Sequence, residues 1–390
     1  MSSMFKFICK TSHYLRSATR VAQSPTHNLC FCQIHPFSSS LESIKNSPNQ
    51  HSFTVNYLIN SCGFSPEKSL SASKYVKFET PDKPDSVLRF FETHEFTKTQ
   101  ISRIIRKLPR LLVCDPENTL LPKLEFLKSK GISSTDVAKM VSISPFFMKR
   151  SLENKIIPSF ILFTSLFRSE EKTITAIKRC PSLLLHDQHF TVAPNIENLQ
   201  EANVPIANIM YLLANQPRVF FASSNRFREI VKEVETMGFN PLKLSFVTAV
   251  HALRSMTKSI WEKKFDVYKN WGWTEDEILK AFRMHPWCMT VSEDKINRVM
   301  DFWVNKMGWK SSLLARRPKL LSQSLEKRIV PRCAVYQIML SEGLIKSKGI
   351  SLMRLVEAPE EWFLEKLVNR HEEAAPELLK LYKEKLTLSK

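Results

Sequence analysis

Residues Ile101–Ile132, ISRIIRKLPRLLVCDPENTLLPKLEFLKSKGI, decide how the chain is read. An apolar helix ends in Arg106-Lys107, Pro109 stops it, and Leu111-Leu112 turns back toward a core. Pro122 then opens another helix, where its missing N–H costs nothing, and Gly131-Ile132 closes the unit. The order recurs. Pro109, Pro145, Pro181 and Pro217 are spaced by 36 residues, and a second proline follows 13 later at Pro122, Pro158 and Pro194. A period of that size marks an array of supersecondary units, which overrides the two or three globular domains that 390 residues would otherwise suggest.

Working outward, the anchor position continues at His251, where proline is lost, and at Pro286 and Pro318, with Ser73 as a degenerate first copy. Four and five residues before each anchor the chain is apolar, from Ile104-Ile105 through Leu212-Leu213 to Leu313-Leu314. Two residues after it the chain is apolar again, as at Leu111, Phe147, Leu183 and Val219. Each unit closes on Gly131, Asn203, Gly238, Gly272, Gly308 or Gly343, with Glu95 in that slot of the first copy, and a hydrophobe follows. Gly and Asn tolerate the left-handed conformation that ends a helix. Two departures, His251 for proline and Arg168 near an expected glycine, predict locally irregular units. The organisation expected is 1–41 as an organelle transit peptide, 42–52 as a linker, 53–350 as the repeat array and 351–390 as a C-terminal helical cap.

The formal charge is +19. Residues 1–41 hold Lys6, Lys10, Arg16 and Arg20 and no acid, so 19 − 4 leaves +15 for the remainder. That amphipathic, acid-free, serine-containing start reads as an import signal, mitochondrial first and chloroplast as the alternative. The basic remainder points to a polyanionic partner. Eight cysteines without a CxxC read as reduced thiols, and no apolar run is long enough to span a membrane.

Units of this form, with I-x-x-hydrophobe-hydrophobe-x-K/R-x-P-x-L-L and then L-x-P-K-L-x-F-L-x-S-x-G-I, resemble the mTERF family, the mitochondrial transcription termination factor proteins. FTVNYLINSCGFSPEKSLSASK near residue 53 and KPDSVLRFF resemble its plant branch. The resemblance covers roughly 53–370. It implies an all-α, right-handed or curved α-solenoid of about eight three-helix repeats whose basic concave face engages organellar nucleic acid. Family members act in transcription termination or initiation, intron splicing or ribosomal RNA maturation. Pentatricopeptide arrays have a similar period, but they lack a fixed mid-repeat proline.

The candidate nucleic-acid contacts fall at recurring repeat positions. Arg106, Lys107, Lys178, Arg179, Arg283, Arg316 and Arg317 end first helices. Arg110, Arg218 and Lys319 follow the anchor, and Arg103, Lys139 and Lys280 stand one or two turns earlier. Equal positions in stacked units form a stripe that can track phosphates, and these side chains are expected to be exposed. Helix-end cations are also favoured by the macrodipole. The expected partners are organellar double-stranded DNA or structured RNA, together with organellar transcription or splicing proteins, for a monomeric chain. The alternative is a helical-repeat scaffold for an organellar protein.

All seven tryptophans follow residue 260. Trp273 and Trp309 read as packing residues, and Trp287 as a candidate for base stacking. His186, Asp187 and His189 lack further metal ligands, and no nucleotide loop or catalytic motif occurs. The chain therefore reads as a non-enzyme without cofactor or metal.

Overall fold

The computed structural model describes residues 52–185, 191–346 and 352–387. The transit segment, most of the linker and the His186–His189 pair lie outside them. The fold is all-α, with no strand among the described residues. The chain divides into two compact units, Met1–Val192 and Ala193–Lys390.

In the first unit, helices Phe53–Asn60, Pro66–Ser73 and Asp82–Thr93 precede two full copies of the repeat. These run Lys98–Lys107, Pro109–Val113, Leu121–Ser129 and then Ser134–Ile143, Pro145–Lys149, Ile157–Phe167. A third copy opens with Glu170–Arg179 and Pro181–Leu184. In the second unit the first helices are Ile206–Asn215, Leu244–Arg254, Glu275–Met284 and Ser311–Ala315. Helices Leu352–Glu357, Glu360–Phe363 and Ala375–Thr387 stand where a cap was expected.

The anchor prolines act as the sequence implies. The residue before each is forced out of helical geometry, at φ/ψ of −145°/70° for Leu108, −140°/79° for Cys180 and −151°/84° for His285. The proline then starts a 3-10 turn, as at Pro109–Val113, Pro145–Lys149, Pro181–Leu184, Pro217–Phe221 and Pro286–Met289. That turn drives two consecutive side chains inward: Leu111-Leu112, Phe147-Met148, Leu183-Leu184, Val219-Phe220 and Cys288-Met289 are each at most 3% exposed. Full burial of such a side chain is worth about 1.5–3 kcal/mol, so the turn is where much of each unit's stability resides.

Two expectations are corrected. Pro122 stands in the first turn of Leu121–Ser129, as expected, but Pro158 lies inside a helical run that has already begun. That run is capped seven residues before the proline by Ser151, whose side chain accepts from Asn154 N, and Ser324 likewise accepts from Lys327 N seven residues before Pro331. Before Pro158 and Pro331 the backbone widens into π turns, Leu152–Ile156 and Leu325–Ile329, with Ile156 N donating to Ser151 O at 3.1 Å and Ile329 N to Ser324 O at 3.0 Å. An interior proline ring collides with the carbonyl four residues back, and a wider turn accommodates it.

Arg168 is not an irregularity either. It takes the left-handed conformation itself, at φ 52°, as do Glu95 at 67° and Asn203 at 60°. At Gly131, Gly238 and Gly272 the stop is a Schellman motif: Ile132 N reaches Leu127 O at 3.3 Å and Gly131 N reaches Lys128 O at 2.9 Å. The same pair of bonds closes the Glu95 and Asn203 units. At His251 the expected irregularity is real, but it is a gain of order. Helix Leu244–Arg254 runs straight through the anchor position, with Ala252 and Leu253 buried in place of the turn's side chains.

Candidate nucleic-acid interface

The basic residues at the first-helix ends separate into two classes. One class braces neighbouring repeats. Arg106 Nη2 donates to Gly63 O at 2.9 Å, and Arg110 Nε donates to Tyr75 O at 2.9 Å. Lys107 Nζ reaches forward to Ile143 O at 2.6 Å and Ser142 O at 3.3 Å. These carbonyls end helix Ser134–Ile143 and have no intrahelical donor, so the ammonium both bonds them and meets the negative end of the helix dipole. In the second unit Arg283, half-buried rather than exposed as expected, donates to Met237 O at 3.3 Å. Lys178, also half-buried rather than exposed, pairs with Asp136 at 2.5 Å, Lys280 pairs with Asp276 at 2.6 Å, and Lys319 lies 3.8 Å from Glu357. The Lys178 ammonium is the main reason the Asp136 carboxyl titrates below its ordinary range. Arg179 is exposed and also has an interaction within the chain.

The other class has no hydrogen bond or ion pair among the described residues. Arg103 and Lys139 in the first unit, and Arg218, Arg316 and Arg317 in the second, are all exposed. Arg103 and Lys139 stand six residues before their anchors, Pro109 and Pro145. Arg218 follows Pro217, and Arg316-Arg317 precedes Pro318. Guanidinium and ammonium groups that make no hydrogen bond or ion pair can hold an external phosphate without first breaking a bond.

The sequence reading missed a set of buried donors. Asn195 Nδ2 donates to Phe220 O at 3.0 Å and Ala222 O at 2.9 Å. Lys264 Nζ donates to Met289 O and Val291 O, each at 2.6 Å, and Arg332 Nη1 to Leu355 O at 3.0 Å and Ala358 O at 2.6 Å. Each stands 13 or 14 residues after its anchor and satisfies the carbonyls where the next unit's chain turns. Burial also lowers the Lys264 pKa below the usual lysine range. The one sequence signal was a polar residue recurring at that offset on otherwise apolar faces. Charge in this protein is thus partly internal scaffolding.

The tryptophans are mostly packing residues. Trp273 stacks on Tyr268 at 4.7 Å and donates through Nε1 to Ser311 Oγ at 2.8 Å, and Trp309 lies 4.3 Å from Trp303. Trp287, half-buried, rests 5.0 Å from His251, so its ring is already faced by the preceding unit. Cys62, Cys180, Cys288 and Cys333 are buried free thiols, and burial pushes Cys288 and Cys333 up to about 12, where they stay protonated. No group of His, Cys, Asp and Glu among the described residues is arranged to hold a metal ion. No described helix is long and apolar enough to cross a membrane.

Comparison with known proteins fits this architecture. The mTERF family model matches residues 88–260 and 249–364. A chloroplastic protein of Arabidopsis thaliana, transcription termination factor MTERF8, is 20% identical over 268 residues, 67% of this chain and 51% of its own length. The chain therefore spans about half the length of that relative. A mitochondrial protein of the same plant, transcription termination factor MTERF15, is 22% identical over 353 residues, 88% of this chain and 70% of its own length.

Proposed function

The chain belongs to the mTERF family, and from that premise we propose that it is an organellar nucleic-acid-binding regulator of gene expression that catalyses no reaction itself. The observation that carries this reading is the second class of cations: Arg103, Lys139, Arg218, Arg316 and Arg317 are exposed and make no hydrogen bond or ion pair among the described residues. Contacts of this kind draw affinity from counterion release and fix position on a phosphate backbone without reading bases. Double-stranded DNA and structured RNA both present that backbone. Regulation of transcription or of RNA processing then follows from occupancy of a site. The relatives' names, one chloroplastic and one mitochondrial, support an organelle. The helical amphipathicity read in the sequence of residues 1–41 favours the mitochondrion, and a fluorescent fusion of residues 1–60 found only in plastids would reverse that choice.

Binding measured against salt tests the reading unit by unit. Arg103→Gln with Lys139→Gln removes two charges, and Arg218→Gln with Arg316→Gln and Arg317→Gln removes three. On duplex DNA the slope of log K against log[salt] should flatten by about 1.8 and about 2.7, at roughly 0.9 per phosphate contact. Thermal midpoints should not move, because these side chains hold nothing else in the fold. Unchanged slopes for both variants would refute the phosphate contacts and leave a scaffold for an organellar protein as the better account.

A further inference from the structure

Two neighbouring repeats of the second unit begin their first helices unlike most of the others. Thr97, Ser133, Ser169 and Thr274 cap the helices that follow them, their hydroxyls accepting from the amides of Gln100, Asp136, Lys172 and Glu277. Helices Ile206–Asn215 and Leu244–Arg254 have Pro205 and Lys243 at that position and no side-chain cap. Helix Ser311–Ala315 is uncapped too, but it opens on two serines. The two neighbours carry apolar side chains there instead, and these face solvent: Ile206 is 46% exposed, Leu242 63% and Leu244 43%.

The local chain holds this edge in place. Asn240 Oδ1 accepts from Leu242 N at 2.9 Å, an Asx turn that sets Leu242 outward while Phe239 behind it is buried. Asn208 Nδ2 donates to Leu242 O at 3.3 Å and so joins the loop to the start of helix Ile206–Asn215. Apolar side chains of two repeats therefore share one edge, and its rim carries both signs. Glu201 and Glu235 stand in the last turns of the helices that run into it, and Lys243 lies between the two leucines. All three are exposed and make no ion pair among the described residues. The uncapped amides of the two helix starts add positive potential beside Lys243.

We propose that a second copy of the chain docks on this edge, so that the protein forms a weak, reversible two-fold dimer. The proposal goes beyond the phosphate contacts, is independent of them, and departs from the monomer expected from the sequence. A two-fold interface sets one patch against itself, so it needs an apolar centre and a rim that complements itself. Lys243 and the helix starts of one copy then face Glu201 or Glu235 of the other, and the reverse pair forms across the axis. Nucleic acid does not suit a surface of leucines and uncommitted carboxylates, and an anionic membrane is repelled by the same carboxylates. The edge is short. A specific interface of standard size buries about 800 Å² on each side, and two repeats spaced by about 8–10 Å fall at the low end. Affinity should therefore be about micromolar, seen where salt screens the net positive charge of both copies beyond about 8 Å.

The full chain, freed of nucleic acid, would be followed by sedimentation equilibrium from ~1 to ~100 µM in about 0.15 M salt. Its average mass should rise from one copy towards two. Leu242→Ser/Leu244→Ser should weaken the association by about ten-fold or more. Ile161→Ser removes a similarly exposed apolar side chain, 61%, from the first unit and should change nothing. Charge reversal then tests the occupant. Lys243→Glu alone and Glu201→Lys/Glu235→Lys alone should each stay monomeric, whereas a mixture of the two, one of them fluorescently labelled, should associate because each meets the opposite sign. Every substituted side chain is exposed, so thermal midpoints should stay near wild type, and recovery in the mixture decides the matter should the serine variant melt early. A wild-type mass of one copy throughout, a serine variant that dimerises like wild type, or an equal loss with Ile161→Ser overturns the inference. So does a mixture that stays monomeric, and so does a mass that climbs past two copies, which a closed two-fold pair forbids.

Discussion

The repeat grammar invites one substitution that the structure says should fail. His251 stands where other units have proline, and restoring the consensus with His251→Pro looks stabilising from sequence alone. In the fold, His251 lies inside helix Leu244–Arg254, and its carbonyl accepts from Ser255 N at 3.0 Å. A proline there would lose the amide that bonds back along the helix and would set its ring against the carbonyl of Val247, four residues earlier. That costs about 3 kcal/mol or more. The helix cannot shed the strain by breaking, because Val247, Ala249, Val250 and Ala252 are fully buried. Against a typical total of about 5–15 kcal/mol, the loss should be plain in a urea melt. His251→Ala is the control. It removes the ring contact with Trp287 and also a buried Nδ1 that has no partner, so its midpoint should shift far less. A proline variant as stable as wild type would mean that this unit can adopt the break-and-turn of its neighbours, and the account of why its helix continues would be wrong.

Leu183→Ala should cost about 2–5 kcal/mol through the cavity it leaves, and Pro181→Ala less, since the His251 unit keeps its apolar register without a proline; denaturant melts with the reverse order would refute this. Glu95→Gly should stabilise by about 0.5–1 kcal/mol, because φ of 67° costs a non-glycine residue about 1–2 kcal/mol while the added freedom of the unfolded chain returns about 0.4–1. Gly131→Ala should destabilise by a similar amount, since nothing lies within 4 Å of its would-be Cβ and only the backbone conformation resists; thermal melts read both changes. Burial holds the pKa of His251 and His285 below 6.5, so the unfolded chain takes up protons first. Their contribution is fully present above pH 6.5 and is lost as the pH falls below it, and melts from pH 7.5 to 5 should show a shallower decline for His251→Ala than for wild type.

The array was legible because its signals are local and repeated. Pro109, Leu111 and Gly131 each act within one turn of chain, and every copy restates them. One second proline, Pro158, was misread for the same reason. Pro158 looks like a helix start when only its own position is weighed, whereas Ser151 seven residues earlier holds the cap and the intervening π turn absorbs the ring. Arg168 and Glu95 were readable as stops only by spacing, since nothing in their side chains announces a left-handed backbone.

The candidate interface was half legible, and the limit has a physical source. Periodicity places Arg103 one turn before Arg106 on the same helix, and their charge and exposure are alike. They differ in what the adjoining repeat brings. Arg106 meets Gly63 O, a backbone carbonyl 43 residues away that no side-chain pattern encodes, while Arg103 meets none. The same holds for Lys107 and Lys139, of which only the first reaches a helix end of the next unit. A guanidinium already bonded to a carbonyl must give that bond up before it can hold a phosphate, and one without a partner need not. Even equivalent repeat positions can differ as ligands: Lys280, six residues before Pro286 as Arg103 is before Pro109, pairs with Asp276. The residues suited to an external phosphate are those whose neighbours leave them unanswered, so Arg106→Gln should loosen the Gly63 brace before it alters binding, and Arg103→Gln should do the reverse.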